Sequence, residues 1–166
     1  MMNSRSNYVL EVMNNSHKYP GMQTIPQKTR VVLFWTLEHF SETWVSWSIF
    51  QLEKEQYLAR RIYWLKNWFD VMANVKEADT FGSDIYISKD LANNIVNGFP
   101  NNANKPIDGI MIDGFSRRAA IPQYNIDYSW LAHINENQTH DKWLEENAKI
   151  LDDLMPTYPR PYCTIK

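Results

Sequence analysis

The chain has 166 residues, 44% hydrophobic and 22% charged, which suits one globular domain over 1–166 and excludes wholesale disorder. A formal net charge of -2 supplies no basic footprint, so no nucleic-acid partner is expected. The single cysteine, Cys163, cannot form an internal disulfide, and no run has the apolar length of a membrane span, so the expected location is the cytoplasm, with no membrane partner.

Residues 1–28 read as an N-terminal segment. Within it, 4–18 has the spacing of a short amphipathic helix, with Tyr8, Val9, Val12 and Met13 on one side, ended by Pro20 and Gly21. The stretch from Gln27 to Phe81 holds neither Gly nor Pro, and a long helical hairpin is one way to fold it. Residue choice favours strands. Thr29, Val31, Val32, Phe34, Trp35 and Thr36 are β-branched or aromatic and fit a pleated surface better than a helix. From Thr43 to Gln51 the chain alternates, with Val45, Trp47 and Ile49 on one side and Ser46 and Ser48 on the other. That period of two predicts a half-buried strand. Lys54-Glu55 falls where a hairpin turn belongs, and Tyr57 to Trp64 reads as a third strand of an antiparallel meander, with helix from Leu52 onward as the alternative.

Further on, Asp84 to Ile87 reads as a brief strand. Ser88 is placed to cap a helix carrying Leu91, Ala92, Ile95 and Val96, and Gly98 stops it. Pro100 to Pro106 reads as loop, and Ile107 to Asp113 as a strand ending at the Asp113-Gly114 turn. Arg118 to Ile121 and Tyr124 to Leu131 continue the sheet, with Pro122 suggesting an edge or a bulge. A C-terminal helix starts near Thr139 or His140 and runs to Met155, with Trp143, Leu144, Ala148, Ile150, Leu151 and Leu154 as its apolar stripe. Residues 157–166, with Pro159 and Pro161, read as an extended tail. The predicted fold is therefore α+β: an antiparallel meander of about five to six strands packed by helices, one of them C-terminal.

Chemistry-bearing patterns are sparse. The five glycines are isolated, at 21, 82, 98, 109 and 114, so no phosphate-cradling loop exists and no cofactor is expected. His133 and His140 lie near Asp141 but lack a third close His or Cys, so no metal is expected; they read as surface or capping histidines. Cys163 sits in a Pro-rich tail, a poor platform for a nucleophile. If the chain is an enzyme, its acid-base residues are Glu38, His39 and Glu42 at the first strand connection, or His133, His140 and Asp141. The pairs Arg60-Arg61 and Arg117-Arg118 each place one guanidinium on either side of a strand, and read as solvated or core-edge side chains. From Glu136 to Asp153 six acids stand against Lys142 and Lys149. Such a helix, with Glu145, Glu146, Asp152 and Asp153 beside Trp143, is the candidate docking face for a basic protein partner.

One resemblance gathers these features. The run from Val31 to His39, then Trp47-Ser48-Ile49-Phe50, Ile107-Asp108-Gly109, Ser129-Trp130-Leu131 and the helix with Trp143 ending at Leu154-Met155-Pro156 resemble small bacterial proteins that look like immunity proteins of toxin systems. The similarity spans most of residues 29 to 156 and lies in apolar and aromatic positions, so it carries over no catalytic residue. It implies a binding protein that neutralises a cognate toxin by occlusion. Two other readings stand beside it: a small hydrolase-like enzyme using the acid-base residues above, and an accessory subunit whose aromatics bury in an obligate oligomer. The oligomeric state is open.

Overall fold

A computed structural model describes residues 4–38, 43–65, 80–101 and 115–155. Helix α1 (Ser4–Asn14) comes first, followed by strands β1 (Arg30–Glu38), β2 (Thr43–Gln51), β3 (Tyr57–Leu65) and β4 (Thr80–Ile87). Helix α2 (Lys89–Asn97), β5 (Phe115–Ile121), β6 (Ile126–Leu131) and helix α3 (Gln138–Leu154) complete the described chain. The strands form one six-stranded sheet in the order β4-β3-β2-β1-β5-β6. Every neighbouring pair is antiparallel. The first four strands are a meander, and the β5-β6 hairpin adds on beyond β1. The fold is α+β, and Tyr57 to Trp64 is strand, not helix.

Both faces of this sheet are covered. On one, Val32, Phe34, Trp47, Ile49, Ala59, Ala119, Tyr128 and Trp130 pack against Ala92, Ile95 and Val96 of α2 and Trp143, Leu144 and Leu151 of α3. On the other, Leu33, Trp35, Leu37, Trp44, Ile62 and Trp64 pack against Val9, Leu10 and Met13 of α1. Alternation along each strand sends successive side chains to opposite faces. Trp47 therefore stacks on Phe34 at 5.3 Å on the first face, while Trp44 meets Trp64 edge-on at 5.1 Å on the second.

The second covered face overturns one expectation. Ser46 and Ser48 do not look into solvent; both are fully buried. Ser48 Oγ lies 2.6 Å from Ser16 Oγ, in the segment that follows α1. A buried hydroxyl needs such a partner, and the polar half of β2 is where the N-terminal segment is received.

Local chemistry explains the ends of the elements. Ser88 Oγ accepts from Leu91 N–H at 3.2 Å, capping α2 as its position predicts. Met155, with φ -95° and ψ 156°, is already extended, as a residue before a proline prefers. Pro122 precedes β6, an edge strand of the described sheet, but makes no bulge. It opens a short 3-10 turn, Pro122–Tyr124, and Asn125 at φ 54° completes the hairpin into β6. Asn tolerates that left-handed geometry because its short amide can bond locally. β4 begins at Thr80, four residues earlier than its pattern suggests, since Gly82 and Ser83 conceal the start. The strand expected at Ile107 to Asp113, its Asp113-Gly114 turn and the tail at 157–166 lie outside the described residues.

Candidate functional site

Helix α3 carries five acidic side chains, Asp141, Glu145, Glu146, Asp152 and Asp153, and its orientation decides what they can do. Three of its carboxylates point at arginines on the sheet. Asp141 Oδ1 accepts from Arg117 Nη1 at 2.9 Å and from Trp130 Nε1 at 2.8 Å, and its Oδ2 accepts from the His133 backbone N–H at 2.7 Å. Glu145 Oε1 accepts from Arg117 Nη2 at 2.9 Å. About two turns beyond Glu145, Asp152 Oδ1 accepts from Arg61 Nη1 and from Trp47 Nε1, both at 2.9 Å. The 3.6-residue repeat puts 141, 145 and 152 along one flank, with the small Ala148 between them.

The arginines are there because strand parity puts them there. Arg61 shares a face with Tyr57 and Ala59, and Arg117 shares one with Ala119 and Ile121. Both are buried, as is Arg60 on the opposite face, so of the two expected readings, solvated or core-edge, the solvated one fails for these three. A buried guanidinium is tolerated only with hydrogen-bonded partners. Those partners are the acids of α3 for Arg61 and Arg117, and Asp84 with the Ser16 and Gln23 carbonyls for Arg60. Arg118, on the other face from Arg117, reaches Asp127 and Asn14 instead. A sequence signal for these anchors existed: an arginine in register with the apolar residues of a strand must bring an acid with it.

The acidic docking face changes accordingly. Trp143 is no surface aromatic; it is buried, donates Nε1–H to the Ile95 carbonyl at 3.0 Å and meets Phe34 edge-on at 5.2 Å. Glu145 and Asp152 stay accessible on the flank while bound to their arginines. Glu146 and Asp153 point outward, near Lys142 at 3.8 Å and Lys149 at 2.7 Å respectively. Two residues assigned to the buried stripe, Ile150 and Leu154, are instead 41% and 47% exposed on this outward side. The outer surface of α3 is thus a mixed-charge row carrying an apolar pair, and its negative charge is largely matched.

The acid-base candidates near α3 do not form a proton relay. Asp141 is committed to three donors, and its link to His133 runs through the backbone. The His133 ring packs edge-on against Phe115 at 5.1 Å. His140 is 1% exposed, so it is neither a surface nor a capping histidine. Its two ring nitrogens have no hydrogen-bond partner, and burial holds its pKa below the usual imidazole value, with Asp141 opposing that shift. Glu38 is the last residue of β1; its side chain, and His39 and Glu42, lie outside the described residues.

Among the described residues there is no group of three or more His, Cys, Asp or Glu placed to hold a metal, and no helix long and apolar enough to cross a membrane. A cavity of about 260 Å³ beside α1 is lined by Tyr8, Val12, Tyr19 and Pro20, with Glu11 and Lys18 contributing charge. Fold and site together describe an α+β scaffold whose described polar side chains largely tie helix to sheet. Compared with known protein families, curated proteins and solved structures, the chain matches none.

Proposed function

We propose that this chain is a non-enzymatic protein-binding module, an immunity protein that neutralises a cognate bacterial toxin by covering it, within the reducing cytoplasm that its single cysteine suits. The observation that carries the reading is the way α3 is held. Arg117 and Arg61 fix its two ends to the sheet through Asp141, Glu145 and Asp152. That leaves Ile150 and Leu154 outward beside Lys149 and Asp153. A helix face that loses little freedom on association binds more tightly for the same contacts. An apolar pair ringed by charge is also the usual anatomy of a small binding hot spot.

The contact residues proposed are Ile150, Leu154, Glu146 and Asp153, with Glu145 and Asp152 on the flank. Trp143 supports this face from beneath. Occlusion needs no group to titrate or attack, which agrees with an Asp141 carboxylate committed to structural donors.

The test is co-purification of the chain from its host, followed by calorimetric titration of the recovered partner. An Ile150→Asp, Leu154→Asp double variant should keep its thermal unfolding profile and lose at least about tenfold in affinity, as truncated hot spots do. Recovery of no protein partner, together with turnover of a small substrate by the purified chain, would overturn the reading.

A further inference from the structure

His140 sits in the first turn of α3 inside a cage of rings. Its imidazole is 4.8 Å from the Tyr128 ring, 5.3 Å from Phe99 and 5.5 Å from Trp130. Neither ring nitrogen has a hydrogen-bond partner, and both atoms are shut off from solvent. The charged and titratable groups around it are the Tyr128 phenol from β6, Asp141 on its own helix and, through that carboxylate, Arg117 of β5. Asp141 offers no relief, since its oxygens already accept from Arg117, Trp130 and the His133 N–H. The first turn of a helix, where the unpaired N–H groups point, also disfavours a cation.

A neutral imidazole in this place leaves at most one N–H unmade. An imidazolium leaves two donors and a full charge, which is far costlier in a dry site. The rings attract a cation to some degree but cannot accept two N–H bonds in their plane. The first acid-driven response is therefore for the imidazole to reach water, and it is attached to the turn that Asp141 bolts down.

We infer that His140 is an acid-sensitive latch: on protonation it leaves the Phe99–Tyr128–Trp130 cage and lifts the start of α3 from the sheet, releasing the Asp141 contacts. Such local opening precedes global unfolding when one element is held by a few removable contacts.

The sign follows from linkage. A histidine whose proton affinity is lower folded than unfolded contributes its full stability above the unfolded value, near 6.5, and loses it as pH falls below that value. Between pH 7.5 and 5.5 one such group can lower the folding equilibrium constant by at most about tenfold.

The experiment uses the full chain. The imidazole of His140 is titrated by NMR, and amide exchange across residues 138–144 is compared with that of β1, β2 and β3 at pH 7.5 and 5.5. Urea unfolding of the wild type and of His140→Phe is measured at both pH values. The expected result is a folded-state titration below 6.5. Corrected for the intrinsic rate at each pH, protection should fall only at the start of α3. The acid-driven loss of stability should be larger in the wild type than in the variant, which keeps the smaller contribution of His17. Titration at or above the ordinary value, or exchange that rises equally in the central strands, overturns the latch. If His140→Phe fails to fold, the wild-type titration and exchange decide the matter alone.

Discussion

Arg60 and Asp84 face one another across β3 and β4 in a two-pronged pair, Nε to Oδ1 at 2.7 Å and Nη2 to Oδ2 at 2.8 Å. The guanidinium is wholly buried and the carboxylate side chain 23% exposed. The same guanidinium donates to the Ser16 carbonyl at 2.8 Å and the Gln23 carbonyl at 2.9 Å, so one side chain fastens the segment after α1 to the sheet.

Removing it should be severe. Arg60→Met leaves Asp84 without its partner and takes one donor from each of the Ser16 and Gln23 carbonyls. Breaking a buried pair on one side costs about 3–5 kcal/mol, and urea unfolding should show a loss of that size. Asp84→Asn keeps an acceptor for one prong and should cost less. If Arg60→Met unfolds at the wild-type midpoint, the clamp is not structural.

Gly82 should resist replacement for a steric reason. A Cβ there would lie 2.5 Å from Met22 Sδ and 2.8 Å from Cε1 of Tyr19. The thioether can swing away, but Tyr19 is buried and its hydroxyl is 2.9 Å from Thr80 Oγ1. Gly82→Ala should therefore cost about 1–3 kcal/mol, the usual range for overpacking. Adding Met22→Ala should recover only part of that loss in thermal unfolding.

Adjacent acids on α3 should separate by role. Asp152 accepts from Arg61 and Trp47, whereas Asp153 pairs with Lys149 on the exposed surface. Asp152→Ala should lose about 1–2 kcal/mol, because it removes the carboxylate that accepts from the Arg61 guanidinium and the Trp47 indole N–H, discounted for the partial exposure of the carboxylate. Asp153→Ala should stay within about 0.5 kcal/mol. On partner binding the order should reverse, with Asp153→Ala the more damaging per unit of stability lost. Equal stability losses would refute the division.

Acid should weaken the β5-β6 hairpin through Asp127. Its hydrogen bonds from Arg118 hold the carboxyl below the ordinary carboxylate range, against an opposing effect of burial. A carboxylate with a lowered folded pKa contributes stability that is complete above its unfolded value of 3.8 and is lost as pH falls through the folded value. Wild type and Asp127→Asn should thus differ at neutral pH and converge as the pH falls through the lowered folded value. The difference should be small, since the carboxylate is 61% exposed. A gap that widens on acidification would contradict this account.

Much of the fold could be read directly from residue order. β-branched and aromatic runs marked β1, β2 and β3, Ser88 marked the start of α2, and Trp143, Leu144 and Leu151 marked the inner side of α3. The candidate site was far less legible. The acids of α3 were visible as a group, but the pattern could not tell which of them faced arginines. Arg61 and Asp152 are 91 residues apart, and Trp47 and Asp152 are 105 apart. Nothing local to either end encodes such a meeting. Ile150 and Leu154 went astray for a related reason: helical periodicity gives the width of an apolar stripe, not where the neighbouring surface stops.

Taken alone, the amino-acid order determined the class of element at most positions, because backbone sterics and side-chain shape act within a few residues. It also determined that each arginine pair would straddle its strand, since neighbouring side chains on a pleat diverge. Tertiary structure decided the rest. It laid a second cover of α1 and its following segment over Ser46 and Ser48, matched each buried guanidinium to a carboxylate distant in sequence, and shut His140 among aromatic rings. Alternation shows that a face is polar, but only packing decides whether that face meets water or another part of the chain.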